Sequence, residues 1–181
     1  MKFSSNNPEI NNGLKKFIES NIALIENKDF KELYKRAYAT RSTFTVGHLT
    51  HVLYSIGIDP LDDLDYIPAG FLEACDALIE VDIPSHIEHI DESAFYDCNN
   101  LKEILIPKNV IEVASWSLAD CDELRKIVIL SDVKRIDSLA FSNNPQLEVI
   151  YCTESVSYML RGDRKIIGSM TAAHVKIEVI R

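Results

Sequence analysis

Ile83-Pro84-Ser85-His86-Ile87-Glu88-His89-Ile90-Asp91-Glu92-Ser93-Ala94-Phe95-Tyr96-Asp97-Cys98-Asn99-Asn100-Leu101-Lys102-Glu103-Ile104-Leu105-Ile106-Pro107 begins and ends on the same Ile-Pro pair. Shifted by 23 residues, its apolar slots refill in kind. Cys75, Cys98 and Cys121 share one slot, and Asn144 takes the next place in that row. Leu78, Leu101, Leu124 and Leu147 keep step, as do Val81, Ile104, Ile127 and Ile150, then Ile83, Ile106, Ile129 and Cys152. Two further rows run Leu64, Ile87, Val110, Val133, Val156 and Ile67, Ile90, Val113, Ile136, Met159. A stride held in this many registers marks a repeat architecture.

Within one copy, Ile104 and Ile106 alternate with Leu105, the period of a short strand with one buried face. Pro107 ends that strand because proline donates no ladder hydrogen bond. Ile87 and Ile90 form a second inward segment, Ala94-Phe95 pack a turn, and Cys98 and Leu101 bring the chain back. One such coil is too small to bury these side chains, whereas stacked coils bury each against its counterpart. The pattern predicts an α/β repeat solenoid of about four 23-residue coils over residues 61–152.

The run Ile83-Pro84, Ile87, Ile90, Ala94-Phe95, Cys98, Leu101, Ile104, Ile106-Pro107 resembles the BspA-like (Treponema pallidum-type) leucine-rich repeat. The resemblance covers Leu64 to Cys152. Ser117-Leu118 replaces Ala-Phe in the third copy, Leu130 replaces proline, and Asn144-Pro145 stands at the last cysteine slot. The resemblance implies a short leucine-rich-repeat stack that acts as a binding scaffold, with no catalytic residues to carry over.

An open stack needs capped ends. Over residues 1–60, Phe30, Leu33, Tyr34, Ala37 and Tyr38 mark one face of an amphipathic helix. Asp29 and Glu32 stand in capping-box positions at its start. Leu14, Phe17, Ile18, Ile22 and Ile25 predict a preceding helix. Thr45 is placed to cap a third, carrying Leu49, Val52, Leu53 and Ile56, with Gly57 and Pro60 ending it. Residues 153–181 predict a helix over Glu154 to Leu160 and a strand over His174 to Ile180 that pairs with the last coil and closes its edge.

The chain of 181 residues has 46% apolar and 26% charged residues, which excludes a disordered or collagen-like chain. No apolar run is long enough to span a membrane. The opening Met1 to Pro8 lacks an apolar segment, so a secretory signal is not expected and the expected location is cytoplasmic. Residues 61–152 hold 6 basic and 19 acidic side chains, a net −13 within a total of −9. That balance argues against direct nucleic-acid binding. It fits a solvated outer face, attraction of a basic partner, or imitation of nucleic acid.

Strand residues between the buried ones point outward. They stack as Asp82, Leu105, Val128, Tyr151, with Lys102, Arg125 and Lys126 alongside. Apolar and aromatic side chains flanked by arginine and lysine suit a protein-binding patch. They would equally stabilise the sheet by cross-strand packing. Trp116, the single tryptophan, is either an exposed anchor or a filler for the space left by the absent phenylalanine, and filling is the expectation.

The four cysteines occupy inward slots, so they read as small buried apolar groups in the reduced state. No CxxC pair exists, which argues against zinc. None of the six glycines forms a phosphate cradle, and no cofactor is predicted. His86, His89 and Asp91 near Cys98 sketch a Cys-His enzyme, but solenoid registers aim them in different directions. Arg161-Gly162-Asp163 is a short tripeptide of the kind that arises by chance. The leading expectation is a non-catalytic protein-binding module acting by occlusion or scaffolding, its oligomeric state open. The alternative is a phage-encoded inhibitor of a bacterial defence or host nucleic-acid enzyme, with the acidic repeats as the mimic.

Overall fold

Every described coil turns through two strands, and stacking lays all but one of these in two parallel ladders. The computed structural model describes residues 1–4, 8, 10–40, 44–163, 165–166, 170 and 175–180. The first ladder holds the two-residue strands β2 (Tyr66–Ile67), β4 (His89–Ile90), β6 (Glu112–Val113) and β8 (Arg135–Ile136). The second holds β5 (Glu103–Ile106), β7 (Lys126–Ile129), β9 (Val149–Cys152) and the final strand β10 (Lys176–Val179). Registers follow the 23-residue step: Ile104 pairs with Ile127 and Ile127 with Ile150. The stack makes about five turns, one more than the spacing of the cysteine row predicts. The extra turn arises because β2, ahead of Cys75, already forms a rung with β4.

Between the strands the backbone turns through two left-handed positions in each of the first three coils and one in the fourth. One row is Gly70, Ser93 and Trp116, at φ of 66°, 56° and 53°; the other is Ala74, Asp97, Asp120 and Asn143, at 52° to 58°. Such a conformation costs a residue with a Cβ roughly 1–2 kcal/mol. Amides in these turns donate to the next coil: Leu72 N–H to Ala94 O (2.7 Å), Phe95 N–H to Ser117 O (2.8 Å) and Leu118 N–H to Ala140 O (2.9 Å). The turns are therefore hydrogen-bonded as regularly as the strands.

The interior repeats the sequence rows. Leu101, Leu124, Ile106, Ile127, Ile129, Cys98 and Cys121 are fully buried. The cysteine slot also has a polar task. Cys98 Sγ donates to Leu72 O at 3.1 Å and Cys121 Sγ to Phe95 O at 3.2 Å. Asn144 takes over with its amide, donating to Leu118 O at 2.7 Å and accepting from Cys121 N–H at 2.9 Å. Asparagine fits here because the slot requires a donor aimed at that carbonyl. Leu130 makes a similar gain over proline: its N–H donates to Ile106 O at 3.0 Å.

Four helices cap the first coil: α1 (Asn12–Ser20), α2 (Ile22–Glu26), α3 (Phe30–Ala39) and α4 (Val46–Ser55). Asn11, Asp29 and Thr45 cap α1, α3 and α4 by accepting from Leu14, Glu32 and His48 N–H. The single helix expected around Leu14 to Ile25 is two, broken at Asn21, and Ile22 is exposed. The strand β1 (Lys2–Phe3), which two residues are too few to announce in the sequence, pairs antiparallel with β3 (Leu78–Glu80). The first coil thus lends its strand β3 to β1. At the other end α5 (Glu154–Gly162) is capped by Thr153 and buries Val156 and Leu160. β10 lies parallel to β9 and covers its edge as expected. His174 falls outside the described residues.

Candidate protein-interaction site

The second ladder presents its alternate side chains to solvent, because β5, β7 and β9 bury Ile104, Ile106, Ile127, Ile129, Ile150 and Cys152 inward. Leu105, Val128 and Tyr151 are thereby stacked in register outside, and Glu178 of β10 continues the row past Tyr151. Leu105 is 44% exposed, while Val128 and Tyr151 are half-buried. Two shallow depressions flank Leu105. One, of about 510 Å³, is bounded by Met1, Lys2 and Asp82; the other, of about 230 Å³, by Glu103, Lys126 and Val128.

Three cations of this face, Lys2, Arg125 and Lys126, are partnered within the protein. Lys126 contacts Glu103, and Arg125 lies 3.3 Å from Glu123 and 3.9 Å from Glu148. Lys2 of β1 bonds Glu80 at 2.6 Å beside the first depression. Lys102 is exposed next to Arg125. Surface pairs of this kind contribute little stability. They set instead the charge pattern that a docking surface would meet. Glu80 and Glu103 lie in the same 23-residue row as Lys126, whereas Lys2 joins the face through a pairing that the sequence rows do not encode.

Trp116 stands elsewhere, in the turn after β6, and it does not fill the interior. It is 43% exposed at φ 53°, so the expectation of packing is corrected. Leu118 is fully buried in the phenylalanine slot, and the left-handed backbone at Trp116 carries its side chain to the surface.

The remaining candidates are not assembled into a centre. His86 Nε2 bonds Leu61 O and Leu64 O at 2.9 and 3.0 Å. His89 Nδ1 sits 4.0 Å from Glu112. Burial raises the Asp91 carboxyl above its ordinary range, with His89 opposing that rise. All four thiols are free and buried, and burial pushes Cys75 up to about 11 and Cys121 up to about 12. Cys98 and Cys152 shift the same way for the same reason. A thiol held protonated inside the stack is a poor nucleophile. Arg161-Gly162-Asp163 is built into the end of α5: Arg161 donates to Ile177 O at 2.6 Å, and Asp163 N–H bonds Met159 O.

Comparison with known proteins places this geometry. The model of the BspA type leucine rich repeat region matches residues 65–162 in 6 copies, more than half of the chain. A solved structure, a pneumococcal vaccine antigen named PcpA, is similar at 14% identity and a TM-score of 0.42. That match covers 66% of this chain and 40% of the antigen chain, so this chain spans well under half of it. No curated protein matches. The chain belongs to the BspA-type leucine-rich repeat family, whose repeats are scaffolds for protein interaction.

Proposed function

We propose that the chain is a non-catalytic module that binds one partner protein across β5, β7 and β9 and acts by occluding or scaffolding it. The observation that carries this reading is the in-register outward row Leu105, Val128, Tyr151, with Leu105 44% exposed at its head. Hydrogen-bonded strands hold these side chains in place before a partner arrives, which reduces the ordering cost of binding. Lys102, Arg125 and Lys126 rim the row, the arrangement of apolar centre and polar margin that stable interfaces share. The acidic side chains on this face favour it over imitation of nucleic acid. Glu80, Glu103, Glu123 and Glu148 each lie against a cation of the protein itself, and so do not form an unbroken anionic array.

The test is affinity capture with the wild-type chain and with the double variant Leu105→Glu/Tyr151→Glu. The reading expects loss of the captured partner with an unchanged circular dichroism spectrum. Capture that survives both substitutions discards the face. A complex that dissolves between low and high salt, while tolerating the double variant, favours the mimic instead.

A further inference from the structure

β10 covers the edge of β9 and thereby becomes the edge itself: among the described residues it pairs with β9 alone. Ile177 and Val179 fall in the inward slots of Ile150 and Cys152. Those two earlier residues are fully buried, whereas Ile177 is half-buried and Val179 is 44% exposed, with no further strand over them. Lys176 N–H donates to Glu148 O and Ile180 N–H to Cys152 O, each at 2.9 Å. Bonding direction alternates along a strand, so the amides and carbonyls of Val175, Ile177 and Val179 face away from β9. Arg161 reaches this side as well, donating to Ile177 O at 2.6 Å and taking one of that oxygen's two lone pairs. An edge of this kind is a template for another strand.

We propose that the strand it accepts is β10 of a second copy of the chain, paired antiparallel about a two-fold axis through Ile177. Charge selects this occupant and this register. The outward amides confine a self-pairing to registers in which Val175, Ile177 and Val179 exchange hydrogen bonds among themselves. An axis through Lys176 sets Lys176 against its own copy, and an axis through Glu178 does the same to Glu178. An axis through Ile177 sets Lys176 against Glu178 twice, Ile177 against Ile177, and Val175 against Val179. Opposite charges facing each other across a strand pair stabilise it, and like charges destabilise it. Lys176 and Glu178 are both exposed, and neither has an ion-pair partner among the described residues. A lysine alone would guard the edge against pairing. With Glu178 two residues on, the edge complements itself, as an isologous interface requires. The axis stands perpendicular to the sheet, so two four-stranded ladders join into one with both rows of Leu105, Val128 and Tyr151 on the same side. The dimer is thereby bivalent toward anything those rows bind, although the edge shares no residue with them.

A strand this short makes a small interface, so the dimer is weak and reversible, with a Kd of roughly 10 µM to 1 mM. Sedimentation equilibrium of the full chain from about 5 µM to about 1 mM covers that range. Wild type should pass from monomer to dimer across it. Lys176→Glu and Glu178→Lys should each weaken the dimer roughly tenfold or more, since each sets like charges opposite one another twice. The double variant Lys176→Glu/Glu178→Lys should dimerise as wild type does. An equimolar mixture of the two single variants should also regain the dimer, because each supplies the charges that the other lacks. Circular dichroism should be the same for all of them. A wild type that stays monomeric, a dimer that both single reversals leave intact, or single variants that fail to pair on mixing overturns the proposal. Leu105→Glu/Tyr151→Glu should leave self-association unchanged, which separates this edge from the sheet face; a dimer lost there belongs to that face and overturns the proposal.

Discussion

Phe95 and Trp116 are large aromatic residues in adjacent coils, and they meet opposite fates. Phe95 lies in the regular coil and is fully buried, its N–H bonded to Ser117 O in the turn ladder. Trp116 comes two residues before the corresponding slot of the next coil and is 43% exposed. The difference lies in the backbone. Slot 95 falls between two left-handed turns and aims inward; slot 116 is itself a left-handed turn and aims out. Position within the 23-residue step, more than hydrophobicity, decides what a side chain contributes. Inner slots supply stability, whereas outer slots are free to carry recognition.

The comparison breaks most sharply at Phe95. Phe95→Ala should cost about 3–5 kcal/mol in urea unfolding, since the stacked coils are poorly placed to collapse onto the cavity. An inner departure from the repeat should cost somewhat less. Asn144→Leu strips Leu118 O and Cys121 N–H of their partner inside the core, a loss of about 2–3 kcal/mol. Asn144→Cys, which restores the donor found at Cys98 and Cys121, should recover most of it. A Leu variant as stable as wild type would show that the slot does not need its donor.

The thiol row adds a pH dependence. Unfolded thiols titrate near 9.0, whereas Cys75 and Cys121 in the fold titrate at about 11 and about 12. The unfolded chain therefore releases these protons first. The stability they confer is whole below pH 9 and drains as pH rises toward 11 to 12. One unit above the onset the loss should be about 1 kcal/mol per thiol. Thermal melts at pH 8 and pH 10 measure it, and Cys121→Ala should flatten the decline. The smallest effect belongs to the outer slot. Trp116→Gly removes a left-handed penalty at an exposed site and should leave stability unchanged or raise it by up to about 1 kcal/mol. A large loss there would mean that Trp116 packs after all.

Much of this was legible in the residues. The cysteine, leucine and isoleucine rows state which side chains face inward, because a repeat that buries one copy buries all. Thr45 and Asp29 announced helix starts through side chains that accept from the amides three residues on. The outward row at Leu105 followed from strand alternation. What stayed hidden depends on backbone angles and on distant partners. Nothing in the spelling of Trp116 reveals a φ of 53°. Asn21 breaks a helix whose apolar spacing runs straight through it. β1 is too short for periodicity, and the meeting of Tyr38 with Tyr96 and Trp116 joins the cap to the stack across a span that no local pattern covers.

The proposed partner interface is the outward row of β5, β7 and β9. Hydroxyl-radical footprinting of the chain, free and in complex with its captured partner, reads this residue by residue. Leu105, Val128 and Tyr151 should lose reactivity together in the complex, with Tyr158 on α5, 72% exposed, unchanged as the internal standard. A stable complex in which Leu105 and Tyr151 react as they do in the free chain would contradict it.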